Sequence, residues 1–190
     1  VTNGISSMLG DNELNSGPFT VMTYNFTSAG AYTPVMQNAA THPATCGCPT
    51  CLGAFDIAHL QYLYGANPYT NRKDNSYLLS DSLKGIECIW DASGTDQIDA
   101  RNASKAVTID LRNATLKNEF GGGGFVSQIN GELQGYTIAY NSTGKCIIEN
   151  AMGSNFGDSI TGNEYNNYIY GLSGDDSLYA RGGSDFVFGG

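Results

Sequence analysis

From Gly153 to the end of the chain a large apolar residue returns every ninth position: Ile160, Ile169, Leu178 and Val187. Two places before each stands a short polar residue (Asp158, Asn167, Asp176, Asp185), and glycines crowd the intervals. A period of nine is neither the 3.6 of a helix nor the alternation of one long strand. It suits a six-residue turn followed by a three-residue strand, so that two units make one coil and the apolar residues stack inward. Upstream, residues 67–152 alternate in the β manner between turns: Ser76-Tyr-Leu-Leu, Glu87-Cys-Ile-Trp, Ala106-Val-Thr-Ile-Asp-Leu, Tyr136-Thr-Ile-Ala-Tyr and Cys146-Ile-Ile-Glu. One stretch differs. Residues 54–64 place Ala54, Ile57, Ala58 and Leu60–Leu63 as an apolar stripe, with Asp56 in the first turn and Gly65 as a stop, which predicts an amphipathic helix. The pattern predicts a mainly β fold: a parallel β-roll over residues 153–190, stacked on a β-sandwich-like region and preceded by one helix.

Composition sharpens this picture. The 190 residues are 41% hydrophobic and only 14% charged, with 25 glycines, as turn-rich β proteins are. A net charge of −9 disfavours nucleic acid and anionic membranes as partners. No apolar run is long enough to insert in a bilayer. Many acids sit in Gly/Asn-rich turns, where carboxylates collect hard cations. The opening Val-Thr-Asn-Gly has no basic-then-apolar leader, which suggests a mature chain or an internal fragment. Sequons begin at Asn25, Asn102, Asn113 and Asn141, and together with five cysteines they point to a secreted, extracellular protein.

The nonapeptides resemble the repeat-in-toxin pattern Gly-Gly-x-Gly-x-Asp-x-Leu-x, the third unit most cleanly. Glycines permit φ > 0 and bring carbonyls together, and one Asp oxygen per turn completes a calcium cage shared by turns one coil apart. The expected ligand positions are Gly153, Asp158, Asn167, Gly171, Gly174, Asp176, Gly182 and Asp185. Asp158 and Asp176 line one edge of such a roll, Asn167 and Asp185 the other. Asn167 brings no charge, so the second edge should bind more weakly. Without calcium the stacked carboxylates repel, and the roll is expected to lose its order in chelator.

Residues 90–99, WDASGTDQID, supply oxygens at alternating positions from Asp91, Ser93, Gly94 and Asp96, as a calcium loop does. Asp99 either joins them or caps the following turn, and the plainer reading of Asp91 and Asp96 is turn-forming Asx residues. FTVMTYN, FDIAHLQYLYGAN, DNSY, IWDASGTDQIDA, IIENAMG and the nonapeptides, in that order, resemble the C-terminal half of a serralysin-type metalloprotease from about Phe19 to Gly190. The resemblance implies several calcium ions, held by the carbonyls of Asn71, Lys73 and Asn75, by the Asp91–Asp96 loop and by Glu149. Lys73 stands where the family prefers glycine, and Ile147 where it prefers threonine.

The same resemblance makes residues 1–66 the remnant of a metzincin protease domain that ends in the helix, and residues 67–190 its calcium-binding roll domain. Met22 and Tyr24 then correspond to the Met-turn and to a displaceable zinc ligand that stabilises an oxyanion. His59 reads as a structural helix histidine. The His-Glu-x-x-His-x-x-Gly-x-x-His signature is absent, since the chain holds only His42 and His59. The expectation is therefore the C-terminal portion of a larger zinc endopeptidase, itself inactive, whose partners are the upstream protease segment and protein substrate. The alternative is a non-catalytic, calcium-dependent structural or adhesive protein that self-associates. Cys46, Cys48 and Cys51 form disulfides or, with His42, hold zinc.

Overall fold

Three-residue strands that each turn one side chain inward form a core only when a coil lies above or below them. The computed structural model describes residues 52–190 and the backbone of two strands upstream, Thr27–Ser28 (β1) and Ala31–Tyr32 (β2), which pair antiparallel. A helix follows, Ala54–Tyr64 (α1). The strands after it are β3 Ser76–Leu78, β4 Ile86–Ile89, β5 Gln97–Asp99, β6 Val107–Asp110, β7 Ser127–Ile129, β8 Gly135–Ile138, β9 Asn150–Met152, β10 Ser159–Thr161, β11 Tyr168–Tyr170, β12 Ser177–Tyr179 and β13 Phe186–Phe188.

From β9 onward successive strands alternate between two sheets, which makes this part a parallel β-roll. One sheet runs β13-β11-β9-β5-β3 and is parallel throughout. The other runs β12-β10-β6-β7-β8-β4; it is parallel from β12 to β6, then antiparallel on both sides of β7. The roll is thus continuous with the sandwich-like region rather than a separate stack. The inward column of the first sheet is Tyr77, Ile98, Ala151, Ile169, Val187, and that of the second is Ile109, Ile160, Leu178. Ile98, Ile160 and Ile169 are fully buried, whereas Val187 in the last coil is 44% exposed. Burying such a side chain contributes about 1.5–3 kcal/mol, so the roll is firmest where it joins the sandwich.

Two expectations need correcting. Residues 146–149 do not form a strand; β9 begins at Asn150. The N–H groups of Glu149 and Asn150 both donate to the carbonyl of Asp96, at 3.2 and 2.9 Å, so this backbone is drawn to the Asp91–Asp96 loop. The helix lies where expected, but its apolar residues do not make one stripe. Ile57 packs on the core, while Leu60, Tyr62, Leu63 and Tyr64 are exposed. Its start is set by Asp56, whose carboxylate accepts from the Gly53 N–H at 2.9 Å. Gly65, at φ 81°, ends it by donating to the Gln61 carbonyl.

Candidate functional site

The Asp91–Asp96 loop lies between β4 and β5, wrapped against residues 71–77 and Glu149. Asp91 and Asp96 are buried. Tyr77 Oη donates to Asp91 Oδ2 at 2.6 Å, and the Ser93 N–H donates to Asp91 Oδ1 at 3.0 Å. The Asn75 N–H donates to Asp96 Oδ1, and the Asp96 N–H to Glu149 Oε2, each at 2.8 Å. A Cβ on Gly94 would strike the Lys73 carbonyl and come within 2.7 Å of Asp96 Oδ1. The Asn75 side-chain amide reaches the carbonyls of Lys73 (2.6 Å) and Asn71 (3.0 Å) and, with its nitrogen turned toward them, donates to both. The structure therefore brings together the loop residues and backbone oxygens that the sequence nominated.

This cluster is short of positive charge. Burial, reinforced by the charges of Asp91 and Glu149, pushes the Asp96 carboxyl up to about 7. Burial also raises Asp91 and Glu149. Among the described residues the ion pairs are Arg101–Asp99, Lys105–Glu132, Arg112–Asp110 and Arg181–Glu164, none of which touches this cluster. Asp96 Oδ2 is buried with no hydrogen-bond donor, and so is the side-chain oxygen of Asn150 beside Glu149. A buried carboxylate oxygen without a donor is costly unless a cation meets it.

In the roll the position-six residues pair as the nine-residue period requires. The Asp158 N–H donates to Asp176 Oδ1, and the Asn167 N–H to Asp185 Oδ1, both at 2.9 Å. Asp176 Oδ2 is buried without a donor. It lies against the Cα of Gly171, where a Cβ would meet both that oxygen and, at 2.5 Å, the Gly189 carbonyl. One coil earlier, a Cβ on Gly153 would meet Asp158 Oδ2 at 2.5 Å and the Gly171 carbonyl at 2.6 Å. These glycines are required because side-chain and carbonyl oxygens converge where a Cβ would sit. No three His, Cys, Asp or Glu side chains converge on one point among the described residues. An ion here has to draw chiefly on carbonyls with one or two carboxylates, a donor set that fits calcium and not zinc.

Residues 152–190 match the RTX calcium-binding nonapeptide repeat in four copies. The C-terminal coils of this chain are a calcium-binding RTX segment. No curated protein matches the chain. The RTX match begins at the last residue of β9, so the two roll coils carry it and the Asp91–Asp96 loop lies outside it.

The other nominated residues fare differently. Asp99 stays out of the loop: it accepts from the Arg101 N–H at 3.1 Å and grips the Arg101 guanidinium, so it caps its turn. Burial pushes its carboxyl up, but the Arg101 hydrogen bonds outweigh this and hold it low. In the fourth RTX unit the positive φ falls on Arg181 and Gly183, while Gly182 lies beside the Glu164 carboxylate. Asn102 is exposed. Asn113 spends both amide hydrogens on the carbonyls of Ala139 (2.8 Å) and Cys146 (2.9 Å), which opposes glycan attachment in the folded chain. Asn141 accepts from the Cys146 N–H at 3.0 Å. His59 is exposed on α1. Neither Cys88 nor Cys146 forms a disulfide within the described residues. Met22, Tyr24, Asn25, His42, Cys46, Cys48 and Cys51 lie outside them. Sequence reasoning missed Tyr77, whose hydroxyl donates to Asp91, and Ser154 and Asn163, whose N–H groups donate to the side chains of Asp158 and Asn167 in their own turns. For the last two a signal existed, since both stand where the repeat pattern has its second glycine.

Proposed function

We propose that this chain is the calcium-binding C-terminal portion of a secreted, serralysin-like zinc metalloendopeptidase, in which calcium completes the fold of the roll. The observation that carries the calcium part is shared by two places. Asp96 Oδ2 and Asp176 Oδ2 are buried carboxylate oxygens without donors, each in a turn where glycine lets carbonyls approach. A divalent cation supplies the missing charge, and the chain's own carbonyls orient around it. The protease lineage is supported by the order of FTVMTYN, FDIAHLQYLYGAN, WDASGTDQIDA and IIENAMG ahead of the repeats. The histidine ligands for the zinc of such a parent are not in this sequence, and Tyr24 would be its displaceable ligand.

Calorimetric titration of the metal-free chain with calcium, with magnesium as control, tests the first part. More than one calcium per chain is expected, with the gain of order followed by circular dichroism; a flat titration would sink it. For the lineage, the coding sequence ahead of Val1 is decisive. A His-Glu-x-x-His segment within a few tens of residues supports it, and none there removes it. The chain alone, with zinc added, is expected not to cleave casein.

A second reading, a non-catalytic calcium-dependent structural or adhesive protein, is favoured by one feature. Tyr168 stacks on Phe186 and Tyr170 on Phe188, at 4.9 and 4.8 Å, along the outer face of one sheet. Three of these four rings are exposed. An aromatic flank of this kind suits self-association.

A further inference from the structure

The four RTX turns are of two kinds. At the second position of each unit stand Ser154, Asn163, Leu172 and Arg181. Leu172 and Arg181 take φ of 76° and 71°, and Gly174 and Gly183, two places on, take 126° and 107°. None of Ser154, Phe156, Asn163 and Tyr165 in the first two turns has a positive φ. The first two turns close on themselves instead. The Ser154 N–H donates to Asp158 Oδ2 at 2.5 Å, and the Asn163 N–H donates to Asn167 Oδ1 at 2.9 Å. In the third turn no such bond forms, and Asp176 Oδ2 is left without a donor.

The second turn carries this furthest. Asn167 Nδ2 donates to the Glu149 carbonyl (2.9 Å) and to Asn163 Oδ1 (3.0 Å). Asn163 Nδ2 donates to the carbonyls of Ile148 (2.8 Å) and Leu111 (3.2 Å). Asn163 Oδ1 also accepts the Tyr165 N–H at 3.0 Å. All four amide hydrogens are used and both side-chain oxygens accept, in residues that are 4% and 0% exposed. The carbonyls of Ile148, Glu149 and Leu111 already accept from these amides. The oxygens that still converge beside Gly162 are the Ala180 carbonyl and Asn167 Oδ1, which carries no charge and already accepts the Asn163 N–H. The residues of this turn do not fit calcium.

We propose that the turn Gly162–Asn167 is a calcium-free clamp, closed by the Asn163 and Asn167 amides, that holds the first coil to the sandwich before calcium orders the second coil. Asn163 and Asn167 are thus the residues that decide which turns take the ion. The inference rests on the calcium reading above and narrows it, since Asn167 leaves the ligand set.

Hydrogen exchange on the whole chain, in calcium and in chelator, tests it residue by residue. In chelator the Asn163 and Tyr165 amides are expected to keep their protection to within about ten-fold, while the Ser177 and Phe186 amides lose theirs. Loss of protection in all these amides together overturns the clamp. Asn167→Asp is expected to add one calcium equivalent in calorimetry and to make protection of its turn calcium-dependent; unchanged stoichiometry with unchanged protection overturns the proposal. Asn163→Ala offers an independent reading. It should lower the chelator-state protection of Tyr165 with calcium stoichiometry unchanged, and a lost equivalent would mean that this turn was a calcium site after all. A chain that binds no calcium at all would defeat the function proposed above, whereas coils that respond to calcium as one would defeat only the clamp.

Discussion

The backbone N–H of Asp158 donates to the side chain of Asp176, eighteen residues along the chain, at 2.9 Å. Asn167 and Asp185 repeat the relationship on the opposite edge. Each second-coil carboxylate therefore does two things: one oxygen caps the coil below, and in Asp176 the other is left for an ion.

Replacing Asp176 with Asn keeps an oxygen for the Asp158 N–H but removes the charge. The expected result is loss of at least one calcium equivalent in calorimetry and a calcium midpoint for roll ordering shifted upward about ten-fold or more. Asp185→Asn should leave the calcium stoichiometry unchanged, since the turn beneath it is closed by the Asn163 and Asn167 amides and its own Oδ1 serves the Asn167 N–H.

The pH dependence follows from Asp96. Its folded, metal-free carboxyl lies at about 7, above the ordinary 3.8. Between those values the folded chain holds a proton that the unfolded chain has released, so metal-free stability falls as pH rises from about 4 to 7. Calcium takes only the carboxylate, so its stabilising effect should grow over the same range. Affinity at this loop should drop by about ten-fold per pH unit below 7. Thermal melts with and without calcium at pH 5, 6 and 7.5 check both signs.

Ile169 and Val187 are neighbours in one column with opposite exposure. Ile169→Ala opens a cavity beside the sandwich and should cost about 2–5 kcal/mol in denaturant unfolding. Val187→Ala, at a position 44% exposed, should cost about 1 kcal/mol or less. Equal costs would show that the roll does not loosen toward its last coil.

Cys146 is fully buried, and burial above all pushes its thiol up to about 12. Alkylation at pH 8 should therefore be very slow in the calcium-loaded chain and become rapid in denaturant. Peptide mapping of the modified thiol measures it. Prompt labelling of folded Cys146 would contradict its placement.

The roll was legible because its period is set by one side chain per strand, and Ile160, Ile169, Leu178 and Val187 announce it without help from distant residues. The Asp91–Asp96 loop was legible as a string of oxygens, but its depth was not. That depends on Tyr77, Asn75 and Glu149, which reach it from far along the chain. The helix was found from its length and ends, yet its stripe was misjudged because apolar residues at 60, 62, 63 and 64 surround the axis. The strand expected at 146–149 failed because its alternation is real while its backbone bonds go to a loop carbonyl. Asn167 stands where the repeat pattern has aspartate, so spacing alone makes it a weak ligand. Only Asn163, four residues earlier, reveals that the amide is spent.

The stacked rings give the molecule an optical gauge. Tyr168 and Phe186 lie within 10° of parallel, and Tyr170 and Phe188 within 6°, with each pair spanning the joint between two coils. Aromatic rings held this rigidly in a chiral setting produce near-ultraviolet ellipticity that vanishes when packing loosens. That band should report the docking of one coil on the next, and its growth during a titration would show, without any label, when the joint has closed.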